Sequence, residues 1–450
     1  MRTLPRDPRE APRPRAPSVP PPARALGVGT WVVIAYLILD YGKPQFYLHF
    51  LEYLMPGLWI TIIGAVVILV RPKLRLPREA WLVLAFLLVM AVDVPFAINP
   101  RYAYNAFQAM LQMMVAGPFV MMVALHNVQR LRAAIWTYVL VGSYQGIQGL
   151  FRGGVGVGGL FVDENDLCML VATVIPLAFF LGMTSGARLQ RLLGFSLVMV
   201  NILAAVVSFS RGGFLALCAV LLCVILRSRR PVSTLLLVTV ALAVVYPLVP
   251  PAWFHEMGTI ESATRYGDTG ETRLYMWGIA WKVFLDHPVM GVGGGDLGRQ
   301  LPEYEDPSSG HASLWGRVCH SVYFTLLAES GVVGSAIWVW LVVGCLLTTA
   351  TVARKLIGKD GELRDRGVEP PFEARALVGA CRGLEAALIA FLVAGAFLTV
   401  NYYPVMWSLV GLISATRLTV RNDAVLVNLM GVPSGPAPAA RMPRDRRRVG

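Results

Sequence analysis

The sequence predicts an all-α fold, a polytopic integral membrane helical bundle of about twelve spans with one long outer loop between the ninth and tenth. Three observations predict it. Hydrophobic residues make up 56% of the 450 residues against 15% charged, and the mean hydropathy is +0.60, which excludes an ordinary soluble domain. Apolar runs approach the roughly 20 residues that a helix needs to cross a bilayer, where backbone groups must be bonded within their own segment. Basic residues also alternate between loops. With the N-terminus inside, every Lys and Arg falls on the cytoplasmic side except Lys43, Arg101, Arg152, Arg211, Arg265, Arg273, Lys282, Arg299 and Arg317. That is the bias orientation follows.

In chain order, residues 1–25 are rich in Pro and Arg and have no apolar core before Leu26, so they read as a disordered cytoplasmic tail rather than a cleavable signal peptide. The membrane bundle covers residues 26–420. Its apolar runs are Trp31–Tyr41, Leu54–Val70, Ala80–Ile98, Ala103–Leu125, Leu131–Phe151, Leu167–Ser185, Leu189–Phe209, Gly212–Leu226, Val232–Pro250, Val332–Ala353, Gly379–Val400 and Val405–Thr419. The first and eighth are short, so eleven spans also fit. An even count puts both termini on one side. Residues 421–450 form a second cytoplasmic tail rich in Pro and Arg.

The long segment 251–331 is the chain's one extended polar stretch, and it is expected on the outer face as the catalytic loop. It gathers Arg265, Arg273, Lys282, Arg299 and Arg317 with His255, His287, His311 and His320, where topology rules normally remove positive charge. The net charge of +13 otherwise reflects the cytoplasmic bias facing anionic lipid, and no nucleic-acid partner follows from it. Of six cysteines only Cys319 lies in this loop, so no disulfide framework is implied.

Four motifs carry candidate chemistry. Ser210-Arg211-Gly212-Gly213 stands at the outer mouth between the seventh and eighth spans, where Arg211 either snorkels or pairs with a carboxylate such as Asp163, or grips a phosphate with its planar fork. The paired glycines permit close backbone approach. Glu271–Trp277 opens a helix to about Asp286, with apolar residues at Trp277, Ala280, Trp281 and Phe284 giving one greasy face along the membrane surface. Its aromatics read as interfacial anchors or as substrate contacts. Asp286-His287-Pro288 with the glycine run to Gly295 ends that helix and turns the chain back; its G-x-G look lacks the βαβ context of a nucleotide fingerprint. His320-Ser321-Val322-Tyr323-Phe324 begins the helix feeding the tenth span. A histidine there can be neutral near pH 7 and accept a proton, with His311 as the rival base. Asp163-Glu164-Asn165-Asp166 offers oxygen ligands without the spacing of a metal loop, and the histidines show no zinc pattern, so a site without metal or cofactor is expected.

Gly159–Leu167, Ser208–Gly213, Arg273 with Trp277, Asp286-His287-Pro288 with Gly291 and Gly293, and His320–Gly331 together resemble the O-antigen ligase and Wzy polymerase superfamily. The resemblance covers roughly Gly153 to Tyr403. It implies a bacterial inner-membrane glycosyltransferase of the GT-C type that moves a glycan from undecaprenyl diphosphate to a glycan, lipid or protein acceptor. It also implies that Arg211 and Arg273 hold the donor diphosphate, that His320 activates the acceptor hydroxyl, and that Asn165 occupies a recurring polar position. Arg265, Lys282, His311, Arg317 and Tyr323 join the site as candidate substrate contacts. The spacing of His311 and His320 with Tyr323, Phe324 and Glu329 is also similar to that of O-glycosylation ligases.

The competing expectation is a transporter of lipid-linked glycan. Twelve spans with inner termini suit it, but two matching halves with broken helices are not visible.

Overall fold

The computed structural model describes residues 26–70, 76–259, 269–306 and 314–431. Arg265 and His311 lie outside the described residues, as do residues 1–25 and 432–450. Every regular element among the described residues is a helix. In order, the α-helices longer than a single turn are α1 (Val28–Leu37, continued by a π turn over Ile38–Gly42), α2 (Pro56–Leu69), α3 (Arg78–Asp93), α4 (Pro100–Ala116), α5 (Pro118–Ala124), α6 (Val128–Phe151), α7 (Glu164–Thr184) and α8 (Arg188–Val207). There follow α9 (Arg211–Arg227), α10 (Pro231–Val245), α11 (Pro251–Gly258), α12 (Thr269–Asp286), α13 (Val322–Asp365), α14 (Phe372–Gly395), α15 (Pro404–Asn422) and α16 (Ala424–Met430).

A helix occupies each predicted apolar run. Six are long and apolar enough to cross a membrane, namely 100–124, 164–184, 188–207, 231–248, 322–365 and 372–395, while Val28–Gly42 and Pro56–Leu69 are apolar but shorter. Local chemistry sets their starts. Proline stands in the first turn of α2, α4, α5, α10 and α15, where a missing N–H costs nothing, and Asn127, Asp163 and Ser210 cap α6, α7 and α9 through their side chains. The fourth run is split at Gly117, because Pro118 cannot continue the α4 ladder.

Helix α7 is the axis of the bundle. Its apolar window is 89% buried and it packs against α6, α8, α9 and α14, whereas the window of α10 is 11% buried and lies at the periphery. Both are apolar all round, so the difference lies in what covers them. Protein surrounds α7, and lipid is the only medium in which the bare Leu235, Leu236 and Val240 of α10 are at home.

The segment between α10 and α13 has a small core of its own. Met276, Ile279, Ala280 and Val283 of α12 close over Val292, Leu297, Leu301, Leu314 and Ala328. The buried stripe thus sits one position back from the predicted face, because α12 turns Met276 and Val283 toward the returning glycine run and leaves Trp281 exposed.

Helix α13 starts ten residues before the predicted tenth span and is broken at Gly331, whose φ of 58° is left-handed. The break would strand backbone groups. Instead Val292 N and Gly293 N donate to the carbonyls of Ala328 (2.9 Å) and Glu329 (3.1 Å), while Val332 N and Val333 N donate to those of Pro288 (2.8 Å) and Val289 (3.3 Å). This approach needs glycine on both sides. A Cβ on Gly291 would lie 2.4 Å from the Glu329 carbonyl carbon, and one on Gly331 would lie 2.3 Å from the Val289 oxygen.

Residues 421–431, expected in the C-terminal tail, are folded. Asp423 caps α16 and accepts from Val128 N at 3.1 Å, which anchors Leu426 in the core.

Two expectations follow. Gly331→Ala forces a Cβ into the Val289 carbonyl at positive φ and should cost at least about 1–3 kcal/mol, lowering the melting midpoint of the purified protein, whereas Gly278→Ala, on an open face of α12, should not. Equal midpoints would show that the break does not need glycine. In intact cells a membrane-impermeant maleimide should label Lys282→Cys but not Lys359→Cys; the reverse pattern would invert the topology.

Candidate functional site

The site forms where the N-termini of α7 and α9 meet the loop before α13. Asp163 caps α7, accepting from Asn165 N at 2.8 Å and Asp166 N at 3.3 Å. Ser210 caps α9, accepting from Gly213 N at 3.0 Å, and donates its own hydroxyl to Asn165 Oδ1 at 2.7 Å. Asn165 therefore ties two helix N-termini together. Both ends carry the partial positive charge of a helix N-terminus, which at α7 is met by Asp163, Glu164 and Asp166.

Arg211 is the first residue of α9. Its Nε lies 3.4 Å from Glu256 and its guanidinium donates to Thr259 Oγ1 at 3.1 Å, so among the described residues it meets Glu256 of α11 rather than Asp163. Gly212 and Gly213 serve helix packing. A Cβ on Gly213 would fall 2.1 Å from Cys168 Sγ, and one on Gly212 would touch Phe397 at 3.0 Å.

His320 has a φ of 53°, and so does Phe209, which introduces the α9 cap. Left-handed backbone costs a side-chain-bearing residue about 1–2 kcal/mol, and strain of this kind gathers at functional sites. The His320 conformation is held by its N–H, which donates to Thr399 Oγ1 at 2.9 Å, and by Trp277, whose indole donates to the Cys319 carbonyl at 3.0 Å while stacking on Phe324 at 5.3 Å. Trp277 is thus a half-buried brace for the His320 loop. Burial first, and then the Arg273 guanidinium, push the His320 imidazole below its ordinary value; Arg317 acts the same way and Asp163 opposes them. Arg273, Arg317 and Asp163 therefore all stand close enough to bias its charge.

Asp163 and Glu256 both act on Glu164, which connects the Arg211 pair to the His320 group. Asn165 and Arg211 are thus linked through the two helix caps, and Arg273 and Arg317 to His320 through their charge, with Asp163 acting on both groups. Lys282 stands apart. It is exposed on α12 nine residues from Arg273, half a turn round the helix at 100° per residue. Tyr323 also turns elsewhere, donating to the Leu392 carbonyl at 2.8 Å and packing edge-on to Trp338. Burial raises the Cys319 thiol to about 12, so it is no nucleophile near neutral pH.

The segment 396–403 was not singled out by the sequence reasoning, yet it organises the mouth. Thr399 receives His320 N, Asn401 Nδ2 donates to the Val322 carbonyl at 3.1 Å, and the Tyr402 hydroxyl donates to Glu329 at 2.7 Å. Glu329 also accepts from Leu297 N at 3.4 Å. The signal was present as a polar run, Thr399-Val400-Asn401-Tyr402-Tyr403, between two apolar spans. Beyond Tyr402 a cavity of about 360 Å³ is lined by Asp40, Lys43, Gln45 and Gln112.

Residues 196–339, about a third of the chain, match the family model Wzy_C, described as O-antigen ligase. The match includes Arg211, Arg273, the glycine run, His320 and the Gly331 break, and leaves out Asn165 and the 396–403 segment. No curated protein matches the chain. The O-antigen ligase match over residues 196–339 supports the O-antigen ligase and Wzy superfamily, and with six helices long and apolar enough to cross a membrane it points to a membrane protein; the transporter alternative is not favoured.

The Asn165–Ser210 bond should be energetically coupled. Asn165→Ala leaves the buried Ser210 hydroxyl without its acceptor, at a cost of about 1–3 kcal/mol, and adding Ser210→Ala should recover part of that loss. Thermal midpoints of the four proteins in the cycle test this; additive shifts would show the two residues are independent.

Proposed function

We propose that this protein is a glycosyltransferase of the bacterial inner membrane. On the outer face it moves a glycan from an undecaprenyl diphosphate carrier to the hydroxyl of a glycan, lipid or protein acceptor, as a ligase or a polymerase. The observation that carries this reading is the half-buried His320, its basicity depressed beside Arg273, inside the segment that matches the ligase family. The remaining helices of the bundle complete a twelve-span topology with segment 251–331 outside, in keeping with the charge pattern of the loops.

In this reading Arg211 and Arg273 hold the donor diphosphate. Transfer breaks the bond between the anomeric carbon and the diphosphate oxygen, so negative charge grows on the leaving lipid diphosphate, where fixed guanidinium groups and the α7 and α9 N-termini stabilise it. The acceptor oxygen attacks the opposite face of the anomeric carbon and its proton passes to neutral His320. One displacement inverts the anomeric configuration. The bond energy of the activated donor drives the step, so no nucleotide is required. Metal is not required either, since the guanidinium groups take the place of a cation; Asp163 and Asn165 are engaged in capping and in bridging α7 to α9.

The test is transfer from a purified undecaprenyl diphosphate glycan, measured in lipid with chelator present. Arg211→Ala and Arg273→Ala should each lower turnover by about 10²–10³-fold, and His320→Ala by about 10²–10⁴-fold, without loss of folded protein. Wild-type turnover in any of them would remove that residue from the chemistry. A base must be neutral, so activity should fall as pH drops through a midpoint below about 6.5. Arg317→Gln removes a charge that holds His320 down, so its midpoint should move to higher pH. An unmoved or lowered midpoint would contradict His320 as the titrating group.

A further inference from the structure

Helix α7 runs about 30 Å from the candidate site to the opposite end of the bundle, where a second cavity of about 240 Å³ lies between α7, α8, α9 and α14. Its wall carries Arg191, Arg229, Arg375 and Arg382, with the hydroxyls of Ser185 and Ser228. Carboxylates answer only some of this charge. Arg229 pairs with Asp360 and Arg375 with Glu369, while Glu385, the acid beside Arg382, pairs with Arg227. Arg191 donates to the Ser185 carbonyl at 3.3 Å, and Arg382 has no hydrogen-bond or ion-pair partner among the described residues. Behind the wall the buried Arg132 donates to Thr184 Oγ1 at 3.2 Å and Ser185 Oγ at 3.1 Å, and its guanidinium lies over the Phe372 ring. Cations are thus held close together, with fewer anions than charges. Such a cluster is stable when an anion of matching geometry enters it, and the planar guanidinium fork matches phosphate.

A second feature tells what kind of anion. Phe179 of α7 lines this cavity and also an apolar slot of about 110 Å³ further along the same helices, bounded by Val198 and Ile202 of α8, Leu221 and Val224 of α9, and Leu237 and Ala241 of α10. The cationic end and the apolar slot share a wall and lie in sequence along α7, α8 and α9. A soluble phosphate would use the first and leave the second empty. An amphipathic anion uses both, and basic pockets between spans on the cytoplasmic side are where acidic lipid headgroups bind.

We propose that this cavity binds an anionic phospholipid of the inner leaflet, its phosphate between Arg191 and Arg382 and one acyl chain in the slot beside Phe179. The lipid would bridge α7, α8, α9 and α14 at the end of the bundle remote from the transfer site.

The experiment uses the full chain, purified in detergent and delipidated, then given phosphatidylglycerol, phosphatidylcholine or inorganic phosphate alone. Native mass spectrometry and melting midpoints are the readouts. Phosphatidylglycerol should be retained and should raise the midpoint, whereas phosphatidylcholine and inorganic phosphate should not. Arg382→Gln should weaken retention about fivefold, the contribution of one basic residue at a lipid surface. Ala241→Phe, which fills the slot with every cation in place, should weaken it as well, and it decides the matter if Arg382→Gln does not fold. Equal retention of the two lipids, equal stabilisation by inorganic phosphate, or unchanged retention in Ala241→Phe would each overturn the proposal.

Discussion

The interrupted helix at Gly331 sets the constraint on which the candidate site depends. In a bilayer protein an unpaired backbone group costs several kcal/mol, so a broken helix must find partners for the groups it frees. Here the partners come from Pro288, Val289, Val292 and Gly293, which lie against the break with no room for a side chain at Gly291 or Gly331. Once this run is seated, the end of α12 is fixed beside the start of α13. Its small core closes over Met276 and Val283, and Arg273, near the start of α12, comes within electrostatic reach of His320. The glycines serve the fold first, and the charge arrangement follows from it.

A second set of bonds holds the opposing wall. Thr399, Asn401 and Tyr402 bind the His320 loop, the first turn of α13 and Glu329 in succession, so one short segment spans the whole approach to the break. The electrostatics within this frame leave room for a ligand. The Arg211 and Glu256 pair is partly exposed, and such pairs contribute only about 0–1 kcal/mol, so in the proposed function Glu256 is the partner that an entering diphosphate would replace. In the proposed function, burial and the neighbouring cations that depress His320 would keep a base neutral where anions are drawn in.

Much of the fold was legible because membrane helices announce themselves. Apolar run length and loop charge located a helix at every predicted run, and the cap residues Asp163 and Ser210 stand where two of them begin. Arg211, Arg273 and His320 stood out as basic residues on a face that charge patterning usually strips of them. What remained hidden was tertiary. The face of α12 was misread by one position because Trp277 and Trp281 look alike as apolar residues, whereas only Trp277 meets the His320 loop through Cys319 and Phe324. The Glu256 partner of Arg211 lies 45 positions along the chain, and no spacing rule relates them. The role of 396–403 depends on bonds to residues more than 70 positions earlier, which local patterning does not encode.

The measurement that tests the central claim most directly is a structure of the protein in a lipid nanodisc with undecaprenyl diphosphate bound. The account predicts the diphosphate between the guanidinium groups of Arg211 and Arg273, next to the N-termini of α7 and α9, with His320 facing the position the sugar would take. A diphosphate seated elsewhere, with Arg211 still on Glu256 and His320 turned from it, would contradict the account.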